Sequence, residues 1–212
     1  MLQIFRQIAK ARSDNRQKLV LLIALSLGAA GLTQAIGYRQ SSLSHSRNYF
    51  PGGMDTGRLF LACRDLASKR LPYRFGGSNP GAGGMDCSGT VRWVMRSMGQ
   101  RDIPRTAYDQ YRWLSKQGMI YSPRSTSDAV SQLRPGYLLF WSGTYRSSKP
   151  ITHVMIYAGY DQRTGKHMVF GAKGKTKRGV NGAGVDFFKM KLDLGGSTNF
   201  AGYAPVPGFR YY

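Results

Sequence analysis

The order of its hydrophobic periods constrains this chain more than any other feature. Up to residue 114 the apolar positions recur at helical spacing, and from residue 137 onward they come as short runs of β-forming residues. Leu59, Phe60, Cys63, Leu66 and Ala67 mark one helix over 57–69. Val91, Val94, Met95 and Met98 mark a second that Gly99 stops, and Ala107, Tyr111 and Leu114 a third, capped by Thr106 with Asp109. Residues 137–141, 152–160, 168–170 and 185–188 read as strands. Between these lie an extended segment at 71–77, a glycine-rich loop at 78–84, a polar stretch at 122–132 and the turn Leu133-Arg134-Pro135-Gly136. Helices sorted ahead of an antiparallel sheet predict an α+β fold.

Gly83-Gly84 deliver Cys87 into the first turn of the second helix, four residues before Val91 and on the same face. Unpaired N–H groups and the positive end of the helix dipole favour a thiolate there. The same groups could hold an oxyanion. A nucleophile, a small buried hydrophobe and half of a disulfide all fit a cysteine so placed, and a base has to decide between them. His153 opens the strand His153-Val154-Met155-Ile156-Tyr157-Ala158-Gly159 and is the candidate. Cys63, the other cysteine, falls on the apolar stripe of the first helix and reads as a buried thiol rather than a disulfide partner of Cys87. Three dispersed histidines and two cysteines make no zinc site, and no phosphate-binding glycine loop occurs, so neither metal nor cofactor is expected.

The N-terminus reads as an address. Arg6, Lys10, Arg12, Arg16 and Lys18 precede an apolar run at 19–32, and Thr33-Gln34-Ala35 follows with small residues at both cleavage positions. Residues 1–35 are therefore expected to be a signal peptide or, if uncleaved, a signal-anchor, which would be the sole membrane contact. The run is shorter than the ~20 apolar residues that comfortably span a bilayer. Residues 36–56, rich in serine, glycine and proline, read as a polar linker. Thirty-one Lys and Arg against 10 Asp and Glu give a formal charge of +21, which attracts polyanions. The densest basic stretch, 173–182, is either a solvated loop or a clamp on anionic wall polymers. Export argues against nucleic acid as the partner and for the periplasm, cell envelope or exterior.

Several motifs together resemble the NlpC-type cell-wall peptidases: Tyr73-Arg74-Phe75-Gly76-Gly77, Asp86-Cys87-Ser88-Gly89, Ile103-Pro104-Arg105-Thr106, Leu133-Arg134-Pro135-Gly136-Tyr137-Leu138-Leu139-Phe140 and the His153 strand. The likeness runs from about residue 58 to 172, in the family's order. It implies a papain-like catalytic domain over 57–212, with N-terminal helices packed on a C-terminal antiparallel sheet. It also implies a cysteine endopeptidase that cuts peptidoglycan stem peptides at bonds of the D-glutamyl–diaminopimelate type. Carried over by position, Cys87 is the nucleophile and His153 the general base. Tyr73 lines the site, and Asp86 and Ser88 contact the substrate's amine. The family's third catalytic group, often histidine, sits on the following strand, where this sequence has Phe170 or Gly171. His167 stands in for it, or a backbone carbonyl orients His153 and the site is a dyad. Two other readings keep the same residues: a Cys–His amidase or acyltransferase on another substrate, and a non-catalytic basic module that binds the wall.

Overall fold

The computed structural model describes residues 54–174, 183–192 and 198–211. The expected signal at 1–35, most of the linker and residues 175–182 of the basic loop lie outside the described residues. Helix α1 covers Met54–Ser68, so it begins inside the stretch expected to be linker. A two-stranded ribbon, β1 (Ser78–Asn79) and β2 (Gly84–Met85), flanks a single turn of 3₁₀ helix. Helix α2 is Cys87–Ser97, α3 is Ala107–Ser115 and α4 is Thr126–Gln132. Strands β3 (Leu138–Ser142), β4 (His153–Asp161), β5 (Lys166–Lys173), β6 (Gly184–Lys189) and β7 (Asn199–Ala204) follow. They form one antiparallel sheet in the order β6-β5-β4-β3-β7, so the architecture is α+β with helices ahead of the sheet.

Two elements differ from the sequence reading. The polar stretch at 122–132 contains α4, whose Ser125 Oγ accepts from the Asp128 N–H at 3.1 Å, a second capping arrangement. Strand β7 is not marked by the periodicity and pairs with β3 at the sheet edge.

Alternation along the strands gives the sheet two apolar faces. Leu138, Phe140, Val154, Ile156, Phe170 and Ala172 pack with Leu59, Cys63, Leu66, Val91, Val94 and Met95 from α1 and α2. Leu139, Trp141, Met155, Tyr157, Val169 and Phe188 form the other face, with Ala129 and Leu133 at α4. Each fully buried Phe, Leu or Ile is worth about 1.5–3 kcal/mol of burial. Both cysteines are buried free thiols. Among the described residues no helix is long and apolar enough to cross a membrane.

Candidate active site

Asp86 organises the start of α2. It is the N-cap, its backbone extended and its Oδ1 accepting from the Gly89 N–H at 2.7 Å. The same carboxylate accepts from the Gly76 N–H at 2.9 Å and the Ser88 hydroxyl at 3.2 Å. It forms a two-pronged ion pair with Arg105, at 2.7 Å from Nη2 and 3.1 Å from Nη1. Arg105 also donates to Ser88 Oγ at 3.0 Å and to the Gly77 carbonyl at 3.2 Å. Gly89 is required here, because a Cβ would meet the Gly77 carbonyl and come within 2.9 Å of Ser78 Cα. Gln110, fully buried on α3, ties the helix down by donating to the Ser88 and Pro104 carbonyls at 3.1 and 2.9 Å.

Cys87 therefore begins a helix whose first turn is held from four directions. Its thiol is buried, and burial pushes its pKa up to about 11, with Asp86 adding to the rise. The N–H groups of Val154, Ser88 and Cys87 itself pull it back down. The N–H groups of the helix N-terminus thus act in the expected direction, favouring the thiolate, while desolvation acts against them. The Val154 N–H brings the sulfur to the start of β4, one residue from His153.

His153 is partly buried, its ring 5.7 Å from that of Trp141. Burial lowers its pKa to about 4, the charge of Lys173 lowers it further, and Asp86 opposes both. Both shifts favour the uncharged forms, thiol and neutral imidazole. Among the described residues no hydrogen bond reaches the imidazole.

The place expected for a third polar group is filled differently. Ile156 pairs with Phe170 at the end of the β4–β5 ladder, and just beyond it the Met155 side chain packs against Gly171. Atoms of the Met155 side chain lie 3.1–3.5 Å from where a Cβ on Gly171 would stand. Methionine thus takes the space that a side chain at 171 would need. His167 is not brought to the site. It pairs with Tyr160 seven residues along β4 from His153, roughly 23 Å at about 3.3 Å per residue, with Nδ1 2.7 Å from the Tyr157 hydroxyl. The spacing on β5 had left this open, and the register excludes it.

Tyr73 leaves α1 in the extended segment, pairs with Met85 and stands close enough that charge on Cys87 and Asp86 raises its pKa, after burial. Tyr145, from the loop between β3 and β4, is coupled in the same way to Cys87 and Asp86. The sequence pattern does not single it out. Cys87, Tyr73, Asp86, Ser88 and Arg105 share a cavity of about 490 Å³ with Phe75, Tyr108, Tyr145, Lys149 and Thr152. That volume is within the range of small-ligand sites. Among the described residues no group of three or more His, Cys, Asp or Glu could hold a metal ion.

The NlpC/P60 family model matches residues 70–182, which carry Tyr73, Cys87, Arg105 and His153. The chain belongs to the NlpC/P60 family. It is 42% identical over 88 residues to the bifunctional muramidase/DL-endopeptidase CwlT of Bacillus subtilis, covering 42% of this chain and 22% of that protein. It is 35% identical over 89 residues to the gamma-DL-glutamyl hydrolase of the same organism, covering 42% of this chain and 18% of that one. The chain thus spans about a fifth of the length of these curated relatives. A solved NLP/P60-family structure, similar to lipoprotein, from Staphylococcus aureus superposes with a TM-score of 0.46 at 23% identity, covering 68% of this chain and 41% of that one.

Proposed function

We propose that this NlpC/P60 protein is an exported cysteine endopeptidase that hydrolyses γ-D-glutamyl amide bonds in peptidoglycan stem peptides. The observation that carries the reading is the thiol of Cys87 at a helix N-terminus, opening into a peptide-sized cavity and contacted by the N–H that follows His153. Residues 54–212 are the catalytic domain, 36–53 the tether and 1–35 the export signal. The relatives named DL-endopeptidase and gamma-DL-glutamyl hydrolase support the bond class.

In the proposed reaction the Cys87 proton passes to His153 as the sulfur attacks the amide carbon. The carbonyl oxygen becomes an oxyanion facing the N–H groups of the first turn of α2, and the Tyr73 hydroxyl is a further donor. The imidazolium returns its proton to the departing amine, leaving a thioester. Water, deprotonated by His153, attacks the thioester, and collapse releases the carboxylate and the thiol. Asp86 and Ser88 border the cavity where the substrate's amine end would lie, with Asp86 already paired to Arg105.

The test is mass spectrometry of fragments released from purified peptidoglycan. Wild type should release peptides ending in γ-D-glutamate, while Cys87→Ala and His153→Ala should release none at unchanged Tm. Hydrolysis by the Cys87→Ala variant would refute the mechanism. Fragments cut at other bonds would refute the bond class.

A further inference from the structure

The cavity holds one cation that the proposed hydrolysis does not use. Arg105 is committed to Asp86, Ser88 and Gly77, whereas Lys149 lines the same cavity with no ion pair among the described residues. Lys149 lies in the loop between β3 and β4. That loop is fixed at its base by the Thr144 N–H and hydroxyl, which donate to Thr152 Oγ1 at 3.0 and 2.8 Å. The Lys149 N–H donates to Ser147 Oγ at 3.0 Å, and its ammonium stands 5.1 Å over the Tyr108 ring. Four residues earlier, Tyr145 meets Phe75 edge to face at 5.8 Å. The loop thus touches two sides of the cavity, Phe75 before the ribbon and Tyr108 on α3. A lysine on an exposed loop ordinarily samples many rotamers, but contact with an aromatic face restricts where its charge sits. Among the described residues neither acid bordering the cavity forms an ion pair with Lys149. Asp86 is neutralised by Arg105, and Asp109 lies at the exposed rim bonded to the Thr106 hydroxyl at 2.7 Å.

We propose that Lys149 is a specificity residue that binds a free carboxylate of the substrate beside the amide presented to Cys87. The inference rests on the proposed hydrolysis for the bond and adds a charge requirement to it. A γ-glutamyl amide uses the side-chain carboxyl, so its α-carboxylate remains free three carbons from the scissile carbonyl. A carboxylate on the amine side of the bond would offer the same chemistry, and the two sources separate by experiment.

Four synthetic peptides suffice, with the γ-D-glutamyl α-carboxyl either free or amidated and the carboxyl on the amine side likewise. kcat/KM is compared for wild type, Lys149→Met, Lys149→Arg and Lys166→Met, the last a surface control at the start of β5. Wild type should prefer one free carboxylate over its amide by about fivefold, the scale of a partly exposed ion pair, with the preference shrinking as salt is raised. Lys149→Met should bring the ratio close to one, Lys149→Arg should keep most of it, and Lys166→Met should leave it unaltered. Which carboxyl carries the preference identifies the side of the bond. A ratio unchanged in Lys149→Met, or absent in wild type, overturns the proposal. Should wild type cleave none of the four, the hydrolysis reading fails by itself. Calorimetric binding of the same peptides to Cys87→Ala, with and without Lys149→Met, then decides: Lys149-dependent selectivity supports the carboxylate site, and equal binding overturns it.

Discussion

Replacing His153 with glutamine removes one titration from the folded protein, and the site sets its size. The imidazole is held at about 4, against an ordinary 6.5, by burial first and then by Lys173, with Asp86 on α2 pulling the other way. Trp141 adds an uncharged ring from β3, and burial favours the uncharged thiol of Cys87. Between those two values the unfolded chain binds a proton that the folded chain refuses. Stability is therefore complete above about pH 6.5 and falls as pH drops toward 4. At 1.36 kcal/mol per unit the loss is about 3 kcal/mol. Urea unfolding near pH 7 and near pH 4 measures it, the carboxylates contributing alike to both proteins. Wild type should lose about 3 kcal/mol more than His153→Gln across that interval. Lys173→Met should lose less than wild type, because the imidazole then titrates nearer its ordinary value. Equal acid losses in wild type and His153→Gln would refute the reasoning, since His153 would then not be buried neutral beside a cation.

With the thiol at about 11, two units above its ordinary 9.0, iodoacetamide should alkylate native Cys87 about a hundredfold more slowly at neutral pH than it does a free cysteine. The rate, measured in a Cys63→Ala background, should climb with pH, whereas a fast, flat profile from pH 5 to 8 would mean a preformed ion pair. Arg105→Met strands the Asp86 carboxylate, which is nearly buried; it should cost about 2 kcal/mol, a third of the Arg105 side chain being exposed. Calorimetry should find Tm lower by about 4–8 °C. Gly89→Ala drives a methyl into the backbone of Gly77 and Ser78 and should cost about 2 kcal/mol or more in urea unfolding. Met155→Gly and Gly171→His should each destabilise alone, by a cavity and by a clash. Their combination should recover on the order of 1 kcal/mol or more in a double-mutant cycle, because one vacates the space the other fills.

Helices α1, α2 and α3 and four strands of the main sheet are legible because their periods are strong and their cores contiguous along the sequence. Strand β7 is not, because Gly202 interrupts its apolar pattern for a long-range reason. At φ 138° it lets the chain pass close to Tyr121, whose N–H and carbonyl exchange hydrogen bonds with Tyr203. Helix α4 was readable in principle, since Ser125 and Asp128 repeat the cap signal of Thr106 and Asp109, but it buries too little apolar surface to show a period. At the site, Cys87 and His153 stand out because each begins an element and the chemistry demands a specific residue type. Tyr145 and Lys149 do not, because they lie in a loop with no period and matter only through where it folds back. The Met155–Gly171 exchange shows least of all: a large residue and a missing one, sixteen positions apart, have meaning only once the register pairs them.

The charge pattern of the site follows from one carboxylate doing several jobs. Asp86 is needed as the N-cap, and Gly76 and Ser88 take its remaining lone pairs, so the loop before β1 and helix α2 are joined through it. The Asp86 carboxylate adds to the rise of the thiol, and its own charge is paired with the Arg105 guanidinium. With Asp86 and Arg105 paired, the cations left without an ion pair at the site among the described residues are Lys173 beside the imidazole and Lys149 in the cavity. In the proposed reaction Lys173 would disfavour the imidazolium formed when the Cys87 thiol gives up its proton. An anionic group arriving with the substrate would offset that penalty in the field of both lysines. On the proposed reading, a site that carries Lys149 and Lys173 is thereby coupled to a substrate that brings negative charge. The same carboxylate that improves binding would then also ease proton transfer, which places part of the preference for acidic substrates in kcat as well as in KM.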